Sequence, residues 1–302
     1  MTRAICVGEC LVELRPAGDG LLARGFAGDA YNTAVYLKRS APAFDVQFAT
    51  VTGTDPLSYG MRGAWQAEGV GADLAWTTPN RQPGLYLIET DAAGERRFHY
   101  WRGESAAKDW LQGLMANGGA DLLAKADLVY LSGISLAVLS EADRGAALDL
   151  MRALQGRVRL AFDPNYRPAL WPAADVARET ITEAIVVADI VLPSQEDMER
   201  LYGVADPAGQ ADLLKSWGVR EGAVTTAPGR CLLVEEGPVQ GPAATAVIDA
   251  SGAGDSFNGA YLAARLRGDS PTTAAICGLT LAARVVGQRG AIIASSSELS
   301  DA

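Results

Sequence analysis

The chain has 302 residues, of which 49% are hydrophobic, 21% are charged and 33 are glycine. That length suits one large or two small domains, and the apolar content supplies a core, so wholesale disorder is excluded. Against 36 acidic residues stand 26 basic ones, and the balance of −10 repels phosphate backbones and anionic lipid. Nucleic acid and membrane surfaces are therefore not expected partners, and any anionic ligand must be held by individual basic side chains.

Cys6, Cys10, Cys231 and Cys277 show neither CxxC spacing nor the density of a disulfide scaffold, and the lone His99 leaves no ordinary zinc site. A reduced, cytoplasmic setting is the expectation. The uncharged run Ser270–Ala283 is too short and too polar to cross a bilayer. The opening MTRAICVGECLVEL does not read as a signal peptide, because Glu9 and Glu13 interrupt its apolar stretch.

In chain order, Ala4–Gly8 reads as a first strand and Val46–Thr50 as another strand of the same sheet. Cys10–Leu14, Leu21–Phe26, Leu85–Thr90 and Arg96–Trp101 instead read as hairpin strands, apolar or aromatic at alternate positions. Asp91-Ala92-Ala93-Gly94 is the expected turn between the last two. Together they make a small β-sheet lid, drawn from about 10–30 and 84–104 and inserted into a single domain spanning 1–302. From residue 127 onward, apolar runs at Asp127–Leu131, Val158–Phe162, Asp189–Leu192 and Gly222–Thr225 recur at a nearly constant interval. Helix-like stretches such as Glu141–Leu154 and Asp175–Val187 separate them. Strand–helix units of this length imply an α/β fold with a mostly parallel sheet and helices on both faces. Ligands of such sheets collect beyond the carboxyl ends of the strands.

The most informative stretch is Ile248-Asp249-Ala250-Ser251-Gly252-Ala253-Gly254-Asp255-Ser256-Phe257. Phe257, Tyr261, Leu262 and Leu266 recur at helical spacing, which predicts a helix beginning near Asp255. Ahead of it, Gly252, Ala253 and Gly254 let the backbone turn tightly and offer successive N–H groups at the positive helix end, an anion cradle. A carboxylate in the same turn repels phosphate, yet it is in place if Asp255 takes a proton from an attacking hydroxyl. A glycine-rich turn with Asp255 as a plain N-cap fits the residue types equally well. None of the four lysines follows a glycine, so there is no P-loop, and no GxGxxG opens the first unit, which weighs against a dinucleotide dehydrogenase.

At this point the chain resembles the ribokinase-like (pfkB) carbohydrate kinases over essentially its whole length. Ala27-Gly28-Asp29-Ala30-Tyr31-Asn32-Thr33-Ala34 is similar to their N-terminal sugar motif, and Asp249–Asp255 to their C-terminal motif. Within the family, GECLVEL, PGLYLIETDAAGERRFHYWRGESAAKDWL and DPNYRPALW look most like the 2-dehydro-3-deoxygluconate (KDG) kinases. That subgroup phosphorylates the 6-hydroxyl of a six-carbon keto acid with ATP and Mg²⁺. The resemblance implies a ribokinase-like sheet with a lid, Asp255 as catalytic base and Gly252, Ala253 and Gly254 as anion hole. It also implies Gly28, Asn32, Tyr86, Tyr100, Arg102 and Arg167 around the substrate. Arginine suits this role, because a guanidinium matches a carboxylate with two parallel hydrogen bonds.

Further implications concern the nucleotide and metal. Thr225 and Gly229 are expected at ATP, although Ala227 stands where relatives have glycine. Asp163 and Asn165 are expected near phosphates or a metal's water shell, although a DPN turn has local reasons of its own. Ser194-Gln195-Glu196-Asp197 occupies the place of an Asn-x-x-Glu motif that governs ATP and magnesium, while Ser-x-x-Asp is equally close to a capping box. Small residues near Cys277–Val286 suit an adenine slot or plain packing. Relatives carry a monovalent cation such as K⁺ near the counterparts of Asp249 and Ser251. Ala27 and Ala250 depart from the motifs, without touching Asp255 or the cradle. His99, on a strand with no partner histidine, is expected to be structural. A homodimer paired through the lid is expected. A same-fold kinase for fructose, ribose or another sugar acid, and a non-catalytic sugar-binding protein, remain as alternatives.

Overall fold

A computed structural model describes residues 1–90 and 96–294. Its strands are β1 (Arg3–Val7), β2 (Leu11–Pro16), β3 (Leu22–Ala27), β4 (Asp45–Thr52), β5 (Ala75–Thr77), β6 (Leu85–Thr90), β7 (Arg96–Trp101), β8 (Leu128–Ser132), β9 (Arg159–Asp163), β10 (Ile190–Val191), β11 (Glu221–Thr225), β12 (Arg230–Leu233) and β13 (Gly237–Gln240). Among the described residues they form a nine-stranded sheet, β13-β12-β11-β10-β9-β8-β1-β4-β5, and a four-stranded one, β3-β2-β6-β7. All neighbours from β11 to β5 pair in parallel. Only the β11–β12–β13 edge is antiparallel, a hairpin that the sequence pattern does not reveal.

The central strands are mostly apolar on both faces because both faces are covered. Along β1, Ala4 and Cys6 pack on one side with Tyr31, Phe48, Trp65 and Phe257. Ile5 and Val7 pack on the other with Trp110, Leu131, Phe162 and Met198. Helix Glu141–Leu154 starts where expected, Ser140 accepting the Asp143 amide as its cap, and it buries Ala147, Leu148 and Met151. Helix Ala174–Val187 follows with Ile181, Ala184 and Ile185 inward. No helix among the described residues is long and apolar enough to cross a membrane.

The small sheet joins two antiparallel hairpins, β2–β3 and β6–β7, through a parallel β2–β6 pairing. The hairpin strands thus form one small sheet, as expected, and the expected turn at 91–94 lies outside the described residues. His99 lies on an exposed lid strand, 3.0 Å from Glu89 across β6–β7.

Helices Asp29–Ser40 and Ala253–Arg267 cross closely because Gly259 has no side chain: an added Cβ there would lie 2.7 Å from both Leu37 N and Tyr36 Cβ. This crossing brings the N-terminal and C-terminal motifs to one place.

Candidate active site

The strands β1, β8, β9 and β11 all point their carboxyl ends at one cavity of about 420 Å³. Residues at or just past those ends, including Glu9, Asp163, Asn165, Ser194 and Thr225, line its floor, while Tyr86, Ile88, Phe98, Tyr100 and Arg102 line it from the lid. The cavity therefore sits where parallel sheets collect ligands, with a roof of its own.

Helix Ala253–Arg267 enters from one side. It begins two residues earlier than the spacing predicts, with Gly252 as N-cap at φ 73° and no side chain capping it. The amide of Ala253 turns back to the Ala250 carbonyl at 3.3 Å. Gly252, Ala253 and Gly254 nonetheless line the cavity, so the positive end of the helix is open to it. Asp255 is therefore not the N-cap but a first-turn residue, and its Oδ2 accepts a 2.8 Å hydrogen bond from Asn32 Nδ2. Burial and the like charge of Asp29 push its carboxyl up to about 7, while Asn32 and Arg167 pull it down. A base with this affinity is matched to proton transfer near neutrality.

Asn32 does not point solely at a sugar hydroxyl. Its Oδ1 accepts from the Gly28 amide at 3.2 Å and its Nδ2 serves Asp255, so it ties the helix start to the base. Gly28, the N-cap of that helix, lies so close to the Glu9 carbonyl that a side chain would run into backbone. Asp29 caps nothing with its side chain, accepting instead from Asn165 Nδ2 at 2.9 Å.

Asp163 is almost fully buried, and protein groups occupy its oxygens: the Asn165 amide at 3.0 Å and Asn258 Nδ2 at 2.8 Å, with Tyr130 Oη at 3.5 Å. Burial pushes its carboxyl well above the ordinary range. Asn165 holds a left-handed backbone at φ 32°, which asparagine tolerates. Ser194 caps its helix, its Oγ accepting the Asp197 amide at 3.0 Å and donating to Asp197 Oδ2 at 2.8 Å, while both residues line the cavity. Burial raises the Asp197 carboxyl against the pull of Arg167, whose Nη1 lies 3.5 Å from Oδ1. Both arginines thus face the cavity already beside a carboxylate, Arg167 beside Asp197 and Arg102 against Glu9. On the lid, Tyr86 donates to Glu13 and lies 5.6 Å, centroid to centroid, from Tyr100.

A base at a helix N-terminus, in a lidded cavity with two guanidinium groups, suits phosphoryl transfer to an alcohol. Comparison with known proteins agrees. The pfkB family carbohydrate kinase pattern matches residues 1–298. This chain belongs to that family. It is 40% identical over 296 residues to the 2-dehydro-3-deoxygluconokinase of Dickeya dadantii, covering 95% of each chain. The same identity holds over 303 residues with the 2-dehydro-3-deoxygluconokinase of Escherichia coli K12, covering 97% and 98%. A solved 2-dehydro-3-deoxygluconokinase of Thermotoga maritima shares the fold, with a TM-score of 0.86, 18% identity and full coverage of both chains.

As a pfkB carbohydrate kinase, the chain brings together Gly28, Asn32, Tyr86, Tyr100, Arg102, Arg167, Ser194, Thr225, Asp255 and the Gly252–Gly254 turn. Gly229 stays outside: it is the turn glycine between β11 and β12, at φ 74°. Cys277 and Ala282 pack against the core instead of lining the cavity. Four residues the sequence does not single out complete the site. Glu9 is a carboxylate buried beneath the lid and Glu13 one buried on lid strand β2, while Asn258 and Tyr130 surround Asp163.

Proposed function

We propose that this kinase transfers a phosphoryl group to the 6-hydroxyl of 2-dehydro-3-deoxy-D-gluconate, with Asp255 as general base. The observation that carries this reading is the placement of Arg102 and Arg167 in the same cavity as Asp255, within a protein of net charge −10. A neutral sugar gives two fixed cations little to do, whereas a keto acid brings a carboxylate that matches them. The 40% identity to 2-dehydro-3-deoxygluconokinases supports the same substrate.

In this reading the lid aromatics Tyr86 and Tyr100 cover the substrate and exclude water, and Gly28 lets the sugar approach the backbone. Arg102 and Arg167 fix the carboxylate end, so the far hydroxyl meets Asp255. Asp255 accepts the hydroxyl proton as the oxygen attacks, and the helix N-terminus stabilises charge on the transferring group. ATP supplies that group when bound, and the uncapped helix end with Ser194 and Thr225 would hold it. No cluster of three metal-ligating side chains occurs among the described residues. In this reading Mg²⁺ would arrive on the nucleotide's phosphates, with Asp163, Asn165 and Asp197 acting through its waters. The Asp249 carboxylate already accepts from the amides of Ser251 and Gly290, at 3.0 and 2.6 Å, and no step here runs through K⁺.

We read the whole chain as one kinase domain working in the cytoplasm, where its four free cysteines stay reduced. A homodimer through the lid is supported by the exposure of Leu22 and Trp101 on that sheet, outside the cavity lining.

A coupled assay of ADP release across KDG, its C4 epimer, fructose and ribose tests the proposal. KDG should exceed fructose in kcat/KM by at least about 10²-fold, the discrimination expected when buried charges lose their partner. Comparable values for fructose would assign the same fold to a neutral sugar. ATP turnover with none of the sugars, alongside sugar binding, would make the chain a non-catalytic binder.

A further inference from the structure

We propose that Glu9 is the positioning residue for Arg102, and through it a determinant of selectivity for anionic substrates. The inference rests on the keto-acid reading above and deepens it. Glu9 follows β1 and is 1% exposed, a carboxylate at the floor of the cavity. Arg102 follows β7, and its Nη2 donates to Glu9 Oε2. The pair spans 93 positions in sequence and clasps the root of the lid to the central sheet.

Three features show that this clasp is built for a ligand and not for stability alone. First, Arg102 is held at one point. Its Nε and the Oε1 of Glu9 are buried without partners among the described residues, so the guanidinium is fixed in place but not saturated. One guanidinium donor, the Nε–H, therefore remains to be satisfied when a carboxylate arrives. Second, the guanidinium carbon lies over the ring of Tyr100, 5.7 Å from its centroid, and that ring lines the cavity. Third, the chain leaves room for the pair at Gly84. An added Cβ there would stand 2.5 Å from Leu11 Cδ2, 2.9 Å from Glu9 Oε1 and 3.0 Å from Arg102 Cβ. Without Glu9, Arg102 is a nearly buried cation lacking a counter-charge, and it turns outward to water. Asp197, which faces Arg167 across 3.5 Å, does not replace it, because that second arginine is half exposed and loosely held.

The test is a double-mutant cycle on steady-state kinetics with KDG and ATP. Glu9→Gln should raise KM for the keto acid about tenfold, the scale of one charged contact, and leave KM for ATP within about twofold. In an Arg102→Gln background the same Glu9→Gln change should alter KM for the keto acid by less than about twofold, since the residue to be positioned is gone. Gly84→Ala provides a second approach that leaves both charges in place. It should give the same KM-selective loss, and that loss should also vanish when Arg102 is absent. If Glu9→Gln leaves KM for KDG unchanged, or if its effect multiplies in full on top of Arg102→Gln, Glu9 does not act through Arg102. A wild-type enzyme that prefers fructose to KDG would instead overturn the keto-acid reading. Preference for KDG with a flat Glu9→Gln result overturns the positioning role alone.

Discussion

Asn32 and Asp255, 223 positions apart in sequence, meet at 2.8 Å through the Asn32 Nδ2 donor. That bond favours the ionised base and so opposes the burial and the Asp29 charge that raise it. In Asn32→Ala the carboxyl of Asp255 should move above about 7, and the acidic limb of kcat/KM should move to higher pH with it. Turnover lost at pH 7 should then be partly recovered at pH 9. A limb that stays in place would show that Asn32 serves only the substrate.

Asp29→Asn should move the same limb the opposite way. Asp29 repels the ionised form of Asp255, so its neutralisation lowers the proton affinity of the base and extends activity to lower pH. A pH–rate profile that shifts upward instead would show that loss of the Asn165 contact, at 2.9 Å, outweighs the removed charge.

Removal of the base separates catalysis from stability. Asp255→Asn should cost on the order of 10²–10⁴ in turnover while leaving substrate binding nearly intact. The folded state raises this carboxyl from 3.8 to about 7, so between those values it holds more proton than the unfolded chain. The stability of the protonated form is therefore lost as pH rises through about 7. Asparagine mimics that form, so the variant should melt several degrees above wild type at pH 8 and level with it near pH 4. Thermal melts at the two pH values check both signs.

The repeated strand–helix spacing after residue 127 and the alternating lid strands were legible in the sequence because each follows from one periodicity. The antiparallel β12–β13 edge was not, since its strands are four residues each and offer too few positions to show a pattern. In the site, Asp255 and the glycine turn announced themselves by their residue types. Glu9 and Glu13 did not, although a charge within an otherwise apolar stretch was a signal: within GECLVEL both are buried, and both face partners from the lid. Asp163 was legible as a strand-end carboxylate, and its Asn165 amide contact belongs to the local DPN turn. The Asn258 contact instead joins segments 95 positions apart, which spacing does not encode.

Arg167 is half exposed and loosely held by Asp197, whereas Arg102 is nearly buried. Arg167→Ala should therefore fold normally and raise KM for the keto acid far more than for a neutral sugar, by about tenfold or more. Measuring KM for both substrate classes decides it, and equal increases would remove the carboxylate from the role given to this arginine.

Gly259 links packing to catalysis. It sits in the middle of helix Ala253–Arg267, one turn past the base, where an added Cβ would stand 2.7 Å from Leu37 N and 2.8 Å from the Thr33 carbonyl oxygen. Those neighbours are backbone atoms of helix Asp29–Ser40, so they have no rotamer with which to give way. Gly259→Ala should push the two helices apart, at a cost of about 1–3 kcal/mol in denaturant unfolding. The same displacement lengthens the Asn32–Asp255 bond, since each partner rides on one of the two helices. Loss of turnover should therefore accompany the loss of stability, with the acidic limb shifted upward as in Asn32→Ala. A variant destabilised to this degree but unchanged in its pH profile would show that the alignment of the base does not depend on this crossing.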